Sequence, residues 1–339
     1  MESNTQPSPK PRVRLSEIDL AKGLAIMLVV WGHIVATDNP PGNAWYGASK
    51  SFVYLFHMPF FMFLSGTVAG YGYSQVGSVR DWAGFVHKKL TRLLPAYVLF
   101  GTVIVAGKIF ASHYVHVDNV PPSFWYGVWE VLTMPLNSGA RSLWFIYVLF
   151  LYYLTLHPWM LLSGQRILPL LGVGLLLPFL HLPEVLLLNT YAEFFLFFVL
   201  GLAAGRHYPQ FKEQLKRWGG IAILLFLAAL LMVYAIPQLP GKLIAGLFSI
   251  PALLYLMSRT TSPTVQHWLR YFGTYSFVIY LLNTVFIGVI KAAGLKVHPW
   301  DNAAFLVFVP FLFFGGLLLP VLTKRVVFAR VSYLDKITQ

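Results

Sequence analysis

Apolar stretches of membrane-spanning length recur along almost the whole chain, and they constrain its fold more than any other feature. A helix needs about 20 apolar residues to cross ~30 Å of hydrocarbon. Charged residues make up only 11% of the chain, against roughly 25% in a soluble domain. We therefore predict an all-α integral membrane protein, a bundle of about ten transmembrane helices. The stretches lie at about 20–37, 51–72, 93–111, 142–162, 167–182, 186–205, 218–236, 241–257, 270–290 and 303–323.

The basic residues divide unevenly between the two sides of such a ten-span bundle. Nineteen of the 25 lysines and arginines fall on the side of the N-terminus, and six fall on the other: Lys50, Lys108, Arg141, Lys242, Lys291 and Lys296. Because cytoplasmic loops are enriched in Lys and Arg, both termini are predicted to be cytoplasmic. The net charge of +13 therefore indicates membrane topology and contact with membrane lipids, and no nucleic-acid partner is predicted.

The predicted organisation is one membrane domain between two short tails. Residues 1–17 form a polar cytoplasmic tail, residues 18–325 the transmembrane domain, and residues 326–339 a second cytoplasmic tail. The first apolar stretch lacks a small-residue cleavage site, so we interpret it as a retained helix and not as a signal peptide. The fifth and eighth stretches are short and contain proline, so a buried or re-entrant segment is the alternative for each. Cysteine is absent, which excludes disulfides, thiolate metal sites and cysteine nucleophiles.

The first helix carries an ionisable group at each end of one face. Lys22 and His33 are 11 residues apart, which is about three helical turns or ~16.5 Å, and Asp19 precedes Lys22 by about one turn. An ionisable side chain at membrane depth is costly, and it is a functional-site hypothesis by default. The spacing predicts a charged cluster at the start of this helix and a histidine near its outer end.

Other helices place polar side chains at a similar depth near the outer surface. These residues are His57, Glu193, Asn283, Arg141 and Trp144. Their shared depth favours one common site, although a residue of this kind by itself more often makes an ordinary interhelical hydrogen bond. No metal site is predicted, because the histidines are scattered and no His-x-x-x-His pair lies in a span.

A second basic pair lies at the start of the third stretch. The spacing in Lys89-Leu-Thr-Arg92 places both cations on one helical face, and such a pair suits a phosphate-bearing ligand. The alternative is ordinary positive-inside charge in contact with lipid headgroups.

Five motifs in this order resemble those of the acyltransferase family 3 membrane proteins, in the branch similar to fucose 4-O-acetylases. The first runs from Glu17 to His33, with Asp19, Lys22 and His33 at the spacing typical of the family. The others are Phe56-His57-Met-Pro-Phe-Phe-Met-Phe-Leu-Ser65-Gly66, Lys89-Leu-Thr-Arg92-Leu-Leu-Pro95, Ser142-Leu-Trp144-Phe-Ile-Tyr147 and Gly273-Thr-Tyr-Ser276-Phe-Val-Ile-Tyr280-Leu-Leu. The chain departs from the family pattern at Lys22 and Lys89, where Arg is common, and at Asn283, where His is common.

The resemblance implies an O-acyltransferase of the bacterial inner membrane that moves an acyl group, usually acetyl, from acetyl-CoA to a hydroxyl of a surface or exported glycan. His33 is then expected to act as general base, or alternatively as transient acyl carrier, with Glu193 orienting it. Lys22, Lys89, Arg92 and Asp19 are expected at the CoA phosphates. Substrate contacts are expected from His57, Ser65, Arg141, Trp144 and Asn283.

Two other classes of protein fit part of the sequence. A multi-pass transporter or flippase for a glycan or lipid-linked sugar would also bury polar residues among ten spans, but the two halves show neither an inverted repeat nor a matched pair of broken helices. A structural membrane protein explains the apolar stretches but none of the five motifs. The sequence leaves open the acceptor, the acyl chain and the oligomeric state.

Overall fold

The computed structural model describes residues 16–36, 39–73, 78–115 and 117–338, and within these residues all regular structure is helical. The helices are α1 (Ser16–His33), α2 (Ala44–Tyr54), α3 (His57–Tyr73), α4 (Val79–Ser112), α5 (Phe124–Thr133), α6 (Trp144–Leu162), α7 (Ile167–Leu176), α8 (Leu188–Arg206), α9 (Tyr208–Ala235), α10 (Gly241–Arg259), α11 (Pro263–Thr274), α12 (Ser276–Leu295), α13 (Ala303–Val326) and α14 (Ser332–Ile337). The prediction of an all-α membrane protein is confirmed.

Eight helical segments of the described residues are long and apolar enough to cross a membrane. They are Ala44–Tyr73, Val79–Ser112, Arg141–Leu162, Val185–Arg206, Tyr208–Ala235, Gly241–Arg259, Ser276–Leu295 and Ala303–Arg330. The two other predicted spans correspond to α1, which has three charged residues in its first seven, and to α7, which has only 10 residues. The total of ten spans remains a prediction.

Helices α3 and α8 form a tightly packed pair in the core. A Cβ atom added to Gly66 or Gly70 of α3 would lie 2.1 Å or 2.3 Å from the carbonyl oxygen of Phe198 or Leu202 of α8. Gly201 of α8 approaches α3 equally closely. Small residues at four-residue spacing allow such backbone contact between membrane helices. Both helices therefore advance in the same direction, which requires an odd number of crossings between them.

Helix α1 lies among α3, α10, α11, α12 and α13. We call the side of the bundle on which α1 begins the N-terminal side, and the side on which it ends the far side. Gly23 of α1 packs against the carbonyl group of Leu269, and Gly273 packs against that of Asp19, so α11 runs antiparallel to the first turns of α1. This contact places α11 on the N-terminal side.

Two element boundaries differ from the sequence prediction. The predicted span 270–290 is divided at Tyr275, where α11 ends and α12 begins, and α12 continues to Leu295. Helix α4 begins at Val79, well before the apolar stretch 93–111, with Ser78 accepting a hydrogen bond from the Asp81 N–H at its start. Hydropathy detects the buried part of a helix, but it does not detect a polar extension or a local break.

Candidate active site

A hydrogen bond joins His33, the last residue of α1, to Asn283 in the first half of α12. The His33 Nδ1 atom lies 2.7 Å from the Asn283 Oδ1 atom. The Asn283 amide nitrogen donates to the carbonyl oxygens of Ile279 at 2.8 Å and Tyr280 at 2.9 Å. Because that nitrogen faces two acceptors, the amide oxygen must face His33 as an acceptor. The His33 Nδ1 atom therefore carries the hydrogen, and the lone pair of the neutral ring lies on its Nε2 atom.

The turn of α12 that holds His33 is also bonded to the start of α6. The Tyr280 hydroxyl donates to the Ser142 carbonyl oxygen and accepts from the Phe145 N–H at 3.2 Å. The Ser142 hydroxyl lies 3.3 Å from the Thr284 hydroxyl. These bonds bring the segment Arg141–Trp144 beside Asn283, and Arg141 interacts electrostatically with His33. The structure thus unites His33, Asn283 and this segment, as their predicted depths suggested.

His57 lies close to His33 at the start of α3. Its Nδ1 atom donates to the Val53 carbonyl oxygen at 2.9 Å, its ring lies 4.8 Å from the Tyr54 ring, and the residue interacts electrostatically with His33. The Tyr54 hydroxyl in turn donates to the Gly32 carbonyl oxygen at 2.9 Å. Tyr54 therefore fixes the end of α1 against the start of α3.

Glu193 and Ser65 make other contacts than those predicted. The Glu193 carboxylate pairs with Lys242 at 2.8 Å on the far side. The orienting contact to His33 expected of Glu193 comes from Asn283, because depth along a helix does not say which way a side chain faces. The Ser65 hydroxyl donates to the Phe61 carbonyl oxygen of its own helix at 2.9 Å. The parts of Glu193 in catalysis and of Ser65 in substrate binding remain predictions.

The predicted basic residues converge on the N-terminal side, and we call Lys22, Lys89 and Arg92 the cation cluster. Asp19 lies 3.8 Å from the Lys22 ammonium group, and Lys89 and Arg92 both interact electrostatically with Lys22. Neighbouring rings hold two of the cations: the Arg92 guanidinium carbon lies 5.0 Å from the centre of the Phe277 ring, and the Lys89 nitrogen lies 4.9 Å from that of Tyr153. Three like charges held together form a region that favours an anion.

Helix α1 connects this cluster to His33. Lys22 lies near its start and His33 at its end, a rise of ~16.5 Å along an α-helix. Within the part of the chain that the structure describes, no group of three or more His, Asp or Glu residues could hold a metal ion.

A family model for an acyltransferase domain, Acyl_transf_3, matches residues 15–325. The chain belongs to acyltransferase family 3. The match covers α1 to α13 and therefore contains both the cation cluster and the His33–Asn283 pair. No curated protein and no solved structure matches the chain.

For a membrane acyltransferase, this arrangement provides two parts of the required chemistry. Acyl transfer uses a group that accepts a proton as the new bond forms, and the Nε2 atom of a neutral imidazole with its hydrogen on Nδ1 has this chemistry. The reaction also benefits from positive groups near the developing oxyanion, and Lys50 and Arg141 both interact electrostatically with His33. Sequence reasoning placed His33 and Asn283 at a similar depth but did not predict the hydrogen bond between them, since a single asparagine in an apolar helix has no spacing that reveals its partner.

Proposed function

We propose that the protein is an O-acyltransferase of the bacterial inner membrane. It moves an acyl group, in the first instance acetyl, from acyl-CoA on the cytoplasmic side to a hydroxyl of a glycan or lipid-linked sugar on the far side. The observation that carries this proposal is the arrangement of α1, with the cation cluster around its start and the oriented His33 at its end. The excess of basic residues on the N-terminal side supports a cytoplasmic position for both termini.

In the proposed complex the cation cluster binds the CoA pyrophosphate. Charge-assisted contacts to phosphate are among the stronger hydrogen bonds in proteins. The pantetheine arm then extends along α1, and the thioester lies near His33. Lys22 and Lys89 act as point charges, since an ammonium group lacks the planar fork with which Arg92 can bind phosphate in a bidentate manner.

The proposed reaction has one proton-transfer group. As the acceptor oxygen attacks the thioester carbonyl carbon, its proton passes to His33 Nε2 and a tetrahedral oxyanion forms. When the oxyanion collapses, the carbon–sulfur bond breaks, and the proton returns from Nε2 to the CoA sulfur. Asn283 keeps its bond to Nδ1–H throughout, which stabilises the imidazolium form. Arg141 and Lys50 favour the oxyanion, and Trp144 offers a ring surface for the acceptor sugar.

The test of this proposal is acetyl transfer by a His33→Gln variant. Purified full-length protein in nanodiscs receives acetyl-labelled acetyl-CoA and glycan extracted from the host envelope, and the label in the glycan is counted. General-base catalysis contributes typically 10²–10⁴-fold, so we expect transfer to fall by roughly that factor while acetyl-CoA still binds. His113→Gln is the matched control, since His113 is exposed and its ring bonds the Ile109 carbonyl oxygen in the last turn of α4.

Two results would contradict the proposal in different ways. Full transfer by a folded His33→Gln variant would show that His33 is not the general base. Movement of unmodified glycan across the bilayer without acetyl label would favour a transporter, the alternative that the sequence raised.

A further inference from the structure

A second region of the N-terminal side has the chemistry of a nucleotide site. A cavity of about 620 Å³ lies between α11, the start of α12 and the end of α13, within the usual size range of small-molecule sites. We call it the arginine cavity. Its lining consists of Pro263, Gln266, His267, Arg270, Tyr271, Thr274, Tyr275 and Arg325.

One wall of the arginine cavity is aromatic. His267 and Tyr271 lie on one face of α11 at four-residue spacing, and Tyr275, the residue directly after this helix, continues the row. The rings of His267 and Tyr271 are nearly parallel, at an interplanar angle of 16° with centres 6.5 Å apart. The rings of Tyr271 and Tyr275 have centres 5.2 Å apart. A row of flat rings at a surface is suited to stacking with a planar base.

The rest of the cavity is cationic. Arg270 donates to the Gln266 side-chain oxygen at 3.0 Å, which holds one edge of its guanidinium and leaves other N–H groups available. Arg325 reaches the cavity from the last turn of α13. Among the described residues, those that line this cavity include two arginines and no carboxylate.

A second cavity on the N-terminal side differs from the arginine cavity in the charge of its lining. About 550 Å³ in volume, it lies between α1, α9 and α10, and its lining includes Glu17, Lys212, Lys216 and Arg259. Glu17 forms an ion pair with Lys212 and accepts a hydrogen bond from Tyr208 at 3.2 Å. A carboxylate and a paired lysine already offset part of the charge there, so the arginine cavity is the better anion site of the two.

The arginine cavity and the cation cluster both lie on the N-terminal side and are linked through the start of α12. Tyr275 lies two residues before Phe277, whose ring packs against Arg92, and Gly273 of α11 packs against the backbone of Asp19. A ligand with a base, a phosphate beside it and a pyrophosphate farther along could occupy both places.

We propose that the arginine cavity binds the adenosine 3′-phosphate end of the acyl-CoA donor, with adenine on the tyrosine rings and the 3′-phosphate on Arg270 and Arg325. The inference rests on the proposed function only in taking acyl-CoA as the donor. It assigns the pyrophosphate to the cation cluster and the 3′-phosphate to a different pair of cations, which makes the two sites separable by experiment.

The experiment compares acetyl-CoA with its analogue lacking the 3′-phosphate, acetyl-dephospho-CoA. Both compete with labelled acetyl-CoA for full-length protein in nanodiscs of neutral lipid. A hydrogen bond to a charged group contributes about 1.5–3 kcal/mol, so the wild type should prefer acetyl-CoA by about tenfold or more. Arg270→Gln with Arg325→Gln should abolish this preference and leave the affinity for acetyl-dephospho-CoA unchanged.

The matched control is Lys216→Gln with Arg259→Gln, which removes the same charge from the second cavity and should keep the preference. Tyr271→Leu should weaken both donors equally, by about 5- to 150-fold if stacking contributes ~1–3 kcal/mol.

Failure of the inference can be distinguished from failure of the proposed function. If the wild type binds no acetyl-CoA, the donor itself is wrong. Equal binding of both donors by the wild type would leave acyl-CoA as the donor but would contradict a 3′-phosphate site in the arginine cavity. A preference for acetyl-CoA that persists in the arginine variant would lead to the same conclusion. If both double variants lose affinity to the same extent for both donors, the arginines act through general surface charge, as in contact with lipid headgroups, and the inference is also overturned.

Discussion

Replacing Asn283 by leucine tests whether the orientation of the His33 ring affects the rate of acetyl transfer, because His33 itself is retained. Asn283 is fully buried, and leucine has a similar size without a polar group. The two bonds from its amide nitrogen go to helix carbonyls that keep their bonds within α12, so their loss costs little. The bond to His33 at 2.7 Å is different, because its loss leaves the N–H donor of a half-buried ring without its acceptor.

The magnitude follows from that one donor. An unsatisfied buried donor costs about 1–3 kcal/mol, which is the free energy available to hold the His33 ring with Nε2 free. Losing it should lower the rate of acetyl transfer by about 5- to 150-fold. The affinity for acetyl-CoA should not change, because Asn283 lies away from the cation cluster.

The assay measures acetyl transfer to envelope glycan at saturating acetyl-CoA, together with acetyl-CoA binding on the same sample. Asn283→Asp keeps an oxygen acceptor for Nδ1–H and should retain more activity than Asn283→Leu. Asn189→Leu is the control for the same substitution elsewhere, since Asn189 bonds Glu184. Wild-type transfer by folded Asn283→Leu would refute the argument that this bond orients the base.

Three further predictions concern the rest of the site and the core. Lys89→Ala with Arg92→Ala should weaken acetyl-CoA binding by about tenfold or more without changing the rate at saturation; unchanged affinity would exclude the pair as the pyrophosphate site. Gly201→Ala places a Cβ atom 2.0 Å from the Phe63 carbonyl oxygen and should lower the stability by about 1–3 kcal/mol in thermal unfolding in detergent, whereas Gly107→Ala meets no atom within 4 Å and should not. Lys242→Met breaks the half-exposed pair with Glu193 and should cost at most ~1 kcal/mol in the same unfolding assay; a larger loss would mean that the pair is structural.

The sequence was most informative where chemistry follows spacing along a single helix. The distance between Lys22 and His33 and the pairing of Lys89 with Arg92 are properties of one helix each, so they could be predicted from the sequence. The convergence of the cation cluster also followed, because charges on the same side of a membrane share a narrow layer.

Contacts between helices were less predictable, because the rotation of each helix about its axis is set by packing. Glu193 lies at the predicted depth but faces Lys242, and Asn283 faces His33. The close backbone contact of Gly201 with α3 fixes the rotation of α8 about its axis. A hydropathy pattern does not predict that rotation. The break at Tyr275 was missed for a similar reason, since apolar residues continue across it.

The hydrogen bonds of Tyr280 link two events in the proposed reaction. The segment Arg141–Trp144, expected to meet the acceptor, is bonded through Ser142 to the turn of α12 that carries Asn283. In the proposed reaction, a sugar bound to this segment therefore also stabilises the α12 turn through which Asn283 orients His33. Such coupling is reciprocal. On the proposed function, this coupling predicts that the thioester is hydrolysed more slowly than its acyl group is transferred, because the base is best oriented when an acceptor is bound.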